Sequence, residues 1–189
     1  MKIIQPLFVV MLLAAGVMTG CQSPKASSPS GGGAALATRN NCYSLLHQLL
    51  DEQADVSMLR FIKREEGDVK KLVKRIAANS AAGAKLLEKF AADDPSISLT
   101  DLRLPPGEVA TRDAIAATKQ KELLGQTGDE FEMSLLLTQT EALSYASHLA
   151  KVAGENESQP DRAHALAGVS EDMKSLYHEV FVLLLSRAK

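Results

Sequence analysis

Residues 131–152 read FEMSLLLTQTEALSYASHLAKV. Within them Phe131, Leu135, Thr138, Ala142, Tyr145, Leu149 and Val152 recur at alternating steps of four and three. That spacing lines one face of an α-helix and makes the seam of an antiparallel bundle, whereas a half-buried strand would need steps of two. The run Leu135-Leu136-Leu137 widens the apolar face. Toward the C-terminus, Gly154 to Pro160 is a polar turn, and Asp161 to Arg187 repeats the pattern with Leu166, Val169, Met173, Leu176, Val180 and Leu183. Toward the N-terminus, Gly125 and Gly128 bracket a turn preceded by a shorter helix over Gly107 to Leu124, with Val109, Ile115, Ala116 and Leu123 apolar. Pro95 to Pro106 holds three prolines and alternating Ile97, Leu99, Leu102 and Leu104, and reads as an extended crossover.

Further upstream, Asp68 can cap a second helix that ends before Asp94-Pro95 and carries the stripe Val69, Val73, Ile76, Ser80, Gly83, Leu87 and Phe90. The small residues at its middle, Ala77, Ala78 and Ser80 to Ala84, would let a neighbouring helix approach closely. A first helix is expected from about Asn41 to Lys63, with Leu45, Leu46, Leu49, Leu50, Val56, Leu59 and Ile62 inward and Gly67 marking its end. Four long helices and one short one make the expected fold all-α, an antiparallel four-helix bundle in a single domain over residues 40–189.

Composition agrees with that fold and narrows the functions. Of 189 residues 46% are apolar, enough for a core, but 4% are aromatic and none is Trp, so stacking platforms for sugars or single-stranded nucleic acid are scarce. Twenty-one basic against 23 acidic residues give a net charge of -2, which disfavours a polybasic nucleic-acid binder.

The N-terminus carries a targeting pattern. Lys2 supplies a positive start, Leu7 to Met18 is an apolar run of about 12 residues, short of the ~20 that span a bilayer, and small residues follow. Met18-Thr19-Gly20-Cys21 resembles the bacterial lipobox, with Met18 where Leu is usual. The resemblance implies a signal peptide over residues 1–20, lipidation of Cys21, and attachment of the mature chain to a membrane through several acyl chains. Gln22 after the cysteine implies the outer membrane, at its periplasmic face. Cleavage leaves 20 basic and 23 acidic residues, a net charge of -3. Residues 21–39 then read as a lipidated cysteine and a linker, because Gln22 to Thr38, QSPKASSPSGGGAALAT, holds too little apolar side chain to offset the entropy of ordering it. Its expected span is roughly 20 to 25 Å.

Chemistry is harder to find. With Cys21 acylated, Cys42 has no intramolecular partner; beside Leu45, Leu46 and Leu49 it reads as a small buried hydrophobe, with a redox or dimer-forming thiol as the alternative. A ferritin-like di-iron site needs Glu-x-x-His on two helices. None of His47, His148, His164 and His178 has a Glu three positions earlier, so no metal ligand set or cofactor is assigned. The nearest constellations are Glu141 with His148 and Glu171 with His178; an unconventional metal site could use Glu52, Glu141 and His148. There is no nucleophile elbow and no phosphate-binding glycine loop, so no catalytic residue is named. Seven cations around one corner, Arg60, Lys63, Arg64, Lys70, Lys71, Lys74 and Arg75, outnumber Glu65, Glu66 and Asp68; they read either as a solvated corner or as a patch for anionic lipid or cell-wall polymer.

Val69-Lys70, Leu104-Pro105, Phe131-Glu132 with Leu136 and Gln139, and His178 together resemble a family of secreted bacterial ferritin-like helical proteins of unknown function, over about Leu50 to Leu184. Where that family places histidines in its second and long helices, this chain has Ser80 and Leu143. The expectation is a lipid-anchored envelope protein acting as a non-enzymatic structural or interaction module. A metal binder is one alternative, and a ligand carrier with an apolar cavity at Leu135, Leu136 and Met173 is another.

Overall fold

A computed structural model describes residues 31–55, 67–100 and 102–187, and five helices carry nearly all of them. They are α1 (Gly31–Ala54), α2 (Gly67–Asp93), α3 (Pro106–Gly125), α4 (Gly128–Glu155) and α5 (Pro160–Arg187). Residues 1–30, and with them the signal segment, Cys21 and the start of the linker, lie outside the described residues, as do Val56, Leu59, Arg60, Ile62, Lys63 and Arg64.

The 3.6-residue period dictates which side chains are buried. Every residue of the α2 stripe, Val69 through Phe90, is buried, including Ser80 and Gly83. In α4 the stripe buries Phe131, Leu135, Thr138, Ala142 and Leu149, and its widened flank adds Leu136 and Leu143. Leu166, Val169, Met173, Leu176 and Val180 do the same for α5.

Those faces close a ring in which α1 packs on α2 and α4, and α5 packs on α4 and α2. Every adjacent pair is antiparallel. Arg39 and Ser44 of α1 bond to Ser96 and Ser98 just past α2, Tyr43 reaches Glu157 just past α4, and Arg75 near the start of α2 meets Glu179 late in α5. The four-helix bundle with one additional short helix is therefore the fold. Gly83 permits the α1–α2 approach, since a Cβ built there would lie 2.9 Å from Leu50 Cδ1.

The route from α2 to α4 explains the fifth helix. The crossover after Asp93 runs over the N-terminal half of α1, where Asn41 donates to the Leu102 carbonyl. α3 then lies against α4, with Arg112 close to Tyr145 and only Ala116 and Leu123 of its own residues buried. Arg103 is held at φ 47°, a left-handed conformation that strains a side chain with a Cβ.

One expectation for α1 needs correction. Thr38 was expected to end a linker and Asn41 to open the helix, yet α1 begins at Gly31. Ala34-Ala35-Leu36-Ala37 are strong helix formers, and they extend the helix back from the point where Arg39 is buried. At the other end α1 is described to Ala54, and the expected end near Lys63 lies outside the described residues.

Candidate functional site

The densest polar cluster sits at the bundle end where α1 begins. The turn between α4 and α5 presents Glu157, whose side chain has no exposed surface, and the first turn of α5 presents Arg162. Arg162 Nη2 donates to Glu157 Oε1 at 3.0 Å and to Asp94 Oδ2 at 2.9 Å, joining the α4–α5 turn to the end of α2. From α1, the fully buried Tyr43 donates its hydroxyl to Glu157 Oε2 at 2.9 Å, and Arg39 Nη1 lies 3.7 Å from Glu157 Oε1. The Gln159 N–H completes the shell of Glu157 at 2.9 Å.

A second layer holds the crossover. Arg39 Nη2 donates to Ser96 Oγ at 3.0 Å and Asn40 Nδ2 to the Ser96 carbonyl at 2.7 Å, while Asp94 Oδ1 accepts from the Ser96 N–H. Ser44 Oγ donates to the Ser98 carbonyl at 2.8 Å.

The electrostatics of this clasp are close to balanced. Burial pushes the Glu157 carboxyl up, but hydrogen bonds from Arg162, the Gln159 N–H and Tyr43, together with the Arg162 charge, outweigh it and hold the group below its ordinary value. Burial, then the Glu157 hydrogen bond and charge, push the Tyr43 phenol far above its usual range. The hydrogen bonds from Ser96, then the Arg162 charge, hold Asp94 low. Two guanidinium cations, two carboxylates and a neutral phenol thus bond to one another, with Arg162 Nε buried and without a partner among the described residues, an arrangement suited to fastening three chain segments.

 Arg39 stands 55 residues before Asp94 and 118 before Glu157, so their meeting is set by the ring of helices and not by local spacing. The one hint in the sequence is polar: Arg39-Asn40-Asn41 stands within α1 just ahead of its apolar residues Leu45, Leu46, Leu49 and Leu50.

The residues singled out in the sequence are dispersed. Lys70, Lys71, Lys74 and Arg75 are exposed on the first turns of α2, where Lys71 lies 3.8 Å from Asp68 and Arg75 forms a two-pronged ion pair with Glu179 of α5. Lys71 and Arg75 also line a groove of about 520 Å³ between α2 and α5, with Leu72, His178, Val182 and Leu183. Glu171 pairs instead with Lys174 on its own helix.

Glu52, Glu141 and His148 do not come together, and no group of three or more His, Cys, Asp or Glu side chains suited to a metal occurs among the described residues. Glu52 accepts from Gln48 at 2.9 Å; burial, opposed by that bond and assisted by the Asp51 charge, raises its carboxyl to about 7. Glu141 lines a smaller groove of about 190 Å³ with Lys119, Leu123 and Leu137, and burial raises its carboxyl against the pull of Lys119. His148 is exposed and its Nδ1 lies 2.7 Å from the Ser144 carbonyl of its own helix. Cys42 is buried in the core, which pushes its thiol up. Leu135, Leu136 and Met173 are core residues as well.

The interior also holds polar atoms that the periodicity did not mark. Ser80 Oγ, Gln53 Oε1 and both amide atoms of Gln139 are buried and without a hydrogen-bond partner among the described residues.

Comparison with known proteins places the fold. No family model and no curated protein matches the chain. Its structure is similar to the crystal structure of a DUF305 protein from Streptomyces coelicolor that is inferred to be secreted, with a TM-score of 0.61 and 19% identity, covering 82% of this chain and 94% of that one. At that identity the likeness concerns the helical fold. Among the described residues no helix is long and apolar enough to cross a membrane.

Proposed function

We propose that this chain is a cell-envelope protein held to a membrane by lipid on Cys21, with the helical bundle serving as a non-enzymatic structural or interaction module. The observation that carries the reading is the order Lys2, apolar Leu7 to Met18, Gly20-Cys21, followed by a Ser/Pro/Gly-rich stretch and then a folded domain. The inferred secretion of the Streptomyces coelicolor protein supports an exported location for this chain too. Gln22 after the cysteine favours the outer membrane, periplasmic face. A bundle clasped by Arg39, Glu157 and Arg162 supplies a firm body for such a module, since buried charge pairs hold their geometry only when each partner is satisfied.

Fractionation of cells producing the Cys21→Ala variant tests the reading. Wild-type protein is expected in the membrane fraction and incorporates labelled fatty acid; the variant is expected to lose the label. Equal labelling of the two proteins would overturn the lipid anchor.

A further inference from the structure

We propose that the open side of α2 and α5, at the end remote from the clasp, docks on an anionic phospholipid surface. Three observations meet there. The groove of about 520 Å³ has Leu72, Val182 and Leu183 in its walls. Beside it α5 exposes large apolar side chains, with Val182 at 66%, Leu185 at 51% and Phe181 at 41% of their full surface. His178, Val182 and Leu185 recur at steps of four and three, so they share one stripe of the helix.

The first turns of α2 set Lys71 and Arg75 in the groove, and Lys70 and Lys74 are exposed on the same turns. The carboxylates that line the groove, Asp68 and Glu179, each already hold a cation, Lys71 and Arg75. Over the first turns of α2, residues 67–75, four cations stand against one carboxylate, Asp68, in a chain whose net charge is -2.

This combination selects the occupant. Phospholipid headgroups offer dense negative charge directly above an apolar layer, matching cations that flank exposed Val182 and Leu185. Lysine stems can lie along apolar surface while their ammonium groups reach the phosphates. A second copy of the chain would bring the same four cations face to face in a two-fold contact, and like charges oppose that pairing.

The chain has no tryptophan, so Val182→Trp introduces a single fluorescent reporter at an exposed position. The full chain carrying this change is mixed with phosphatidylcholine vesicles with and without phosphatidylglycerol. With phosphatidylglycerol the emission is expected to shift to the blue and to be quenched by brominated lipid; with phosphatidylcholine alone it should stay that of an indole in water. Adding Lys70→Gln and Lys74→Gln should reduce the docked fraction at low salt by about fivefold for each lysine, about thirtyfold together.

Leu185→Trp gives a second reporter on the same stripe. Emission from both reporters that ignores phosphatidylglycerol would overturn the proposal. So would a blue shift that grows with protein concentration in the absence of vesicles, which would make a second copy the occupant. Both reporters are also made with Cys21→Ala, which takes the acyl anchor out of the readout, so failure here and failure of the anchor are separable.

Discussion

Replacing Glu157 with Gln keeps the size of the side chain and removes the charge at the centre of the clasp. Glu157 accepts from Tyr43 at 2.9 Å, Arg162 at 3.0 Å and the Gln159 N–H at 2.9 Å, and Arg39 lies at 3.7 Å. Hydrogen bonds to charged groups contribute about 1.5–3 kcal/mol each, and breaking a buried pair costs about 3–5 kcal/mol. Arg162 keeps Asp94 and Arg39 keeps Ser96, so the lower part of that range applies. The expected loss is about 3 kcal/mol, a fall in Tm of roughly 6–12 °C for a domain of this size.

The dependence on pH supplies the sharper test. The Glu157 carboxyl is held below its ordinary 4.5 in the folded chain. Its stabilisation is therefore fully present above 4.5 and is lost as pH falls through the folded value. Urea unfolding followed by circular dichroism should show the widest gap between wild type and Glu157→Gln near pH 7, closing in acid. A gap below about 1 kcal/mol at pH 7, or one that does not change with pH, would refute the account.

Gln139 offers an opposite case, because its amide is fully buried with neither atom bonded among the described residues. Gln139→Leu should raise stability by about 1–2 kcal/mol in urea unfolding, and a loss instead would show that the amide is satisfied in solution. Glu52 has its carboxyl raised to about 7, so its neutral form is favoured by folding, and that contribution is present below 4.5 and lost as pH rises through about 7. Glu52→Gln should remove this slope and leave the variant roughly 1–2 kcal/mol more stable than wild type at pH 8, allowing for the residue's partial exposure; parallel stability curves from pH 4 to 8 would count against it.

The bundle was legible because its helices are long and their apolar positions regular. All seven positions of the Val69 to Phe90 stripe are buried, since α2 packs on neighbours along its whole length. The stripe of α4 held less strictly at Tyr145 and Val152, which are half-buried at its edge. The start of α1 was hidden by its neighbours: Gly31-Gly32-Gly33 follows a Ser/Pro tract, and the helix depends on Arg39 and Tyr43 finding partners over 50 residues away. The clasp was illegible for the same reason, because Glu157 lies in a polar turn that looks like any solvated turn until the helices bring Arg39 and Tyr43 to it. The basic corner was visible as composition, while the exposed apolar stripe beside it was not, because Val182 and Leu185 belong to a run, Val180 to Leu185, that reads as core.

The position of the clasp has a mechanical consequence. A pull on the chain before Gly31 enters α1 about two turns ahead of Arg39, at the end of the bundle fastened to Ser96 and Glu157. Drawn along its axis, α1 would have to slide past α2 and α4 together, loading their contacts in parallel, while a sideways pull would meet the Arg39 and Tyr43 bonds before any apolar contact could peel open. Tension from the N-terminal side is thus borne first where the polar bonding is densest, and the opposite end of the bundle stays mechanically quiet.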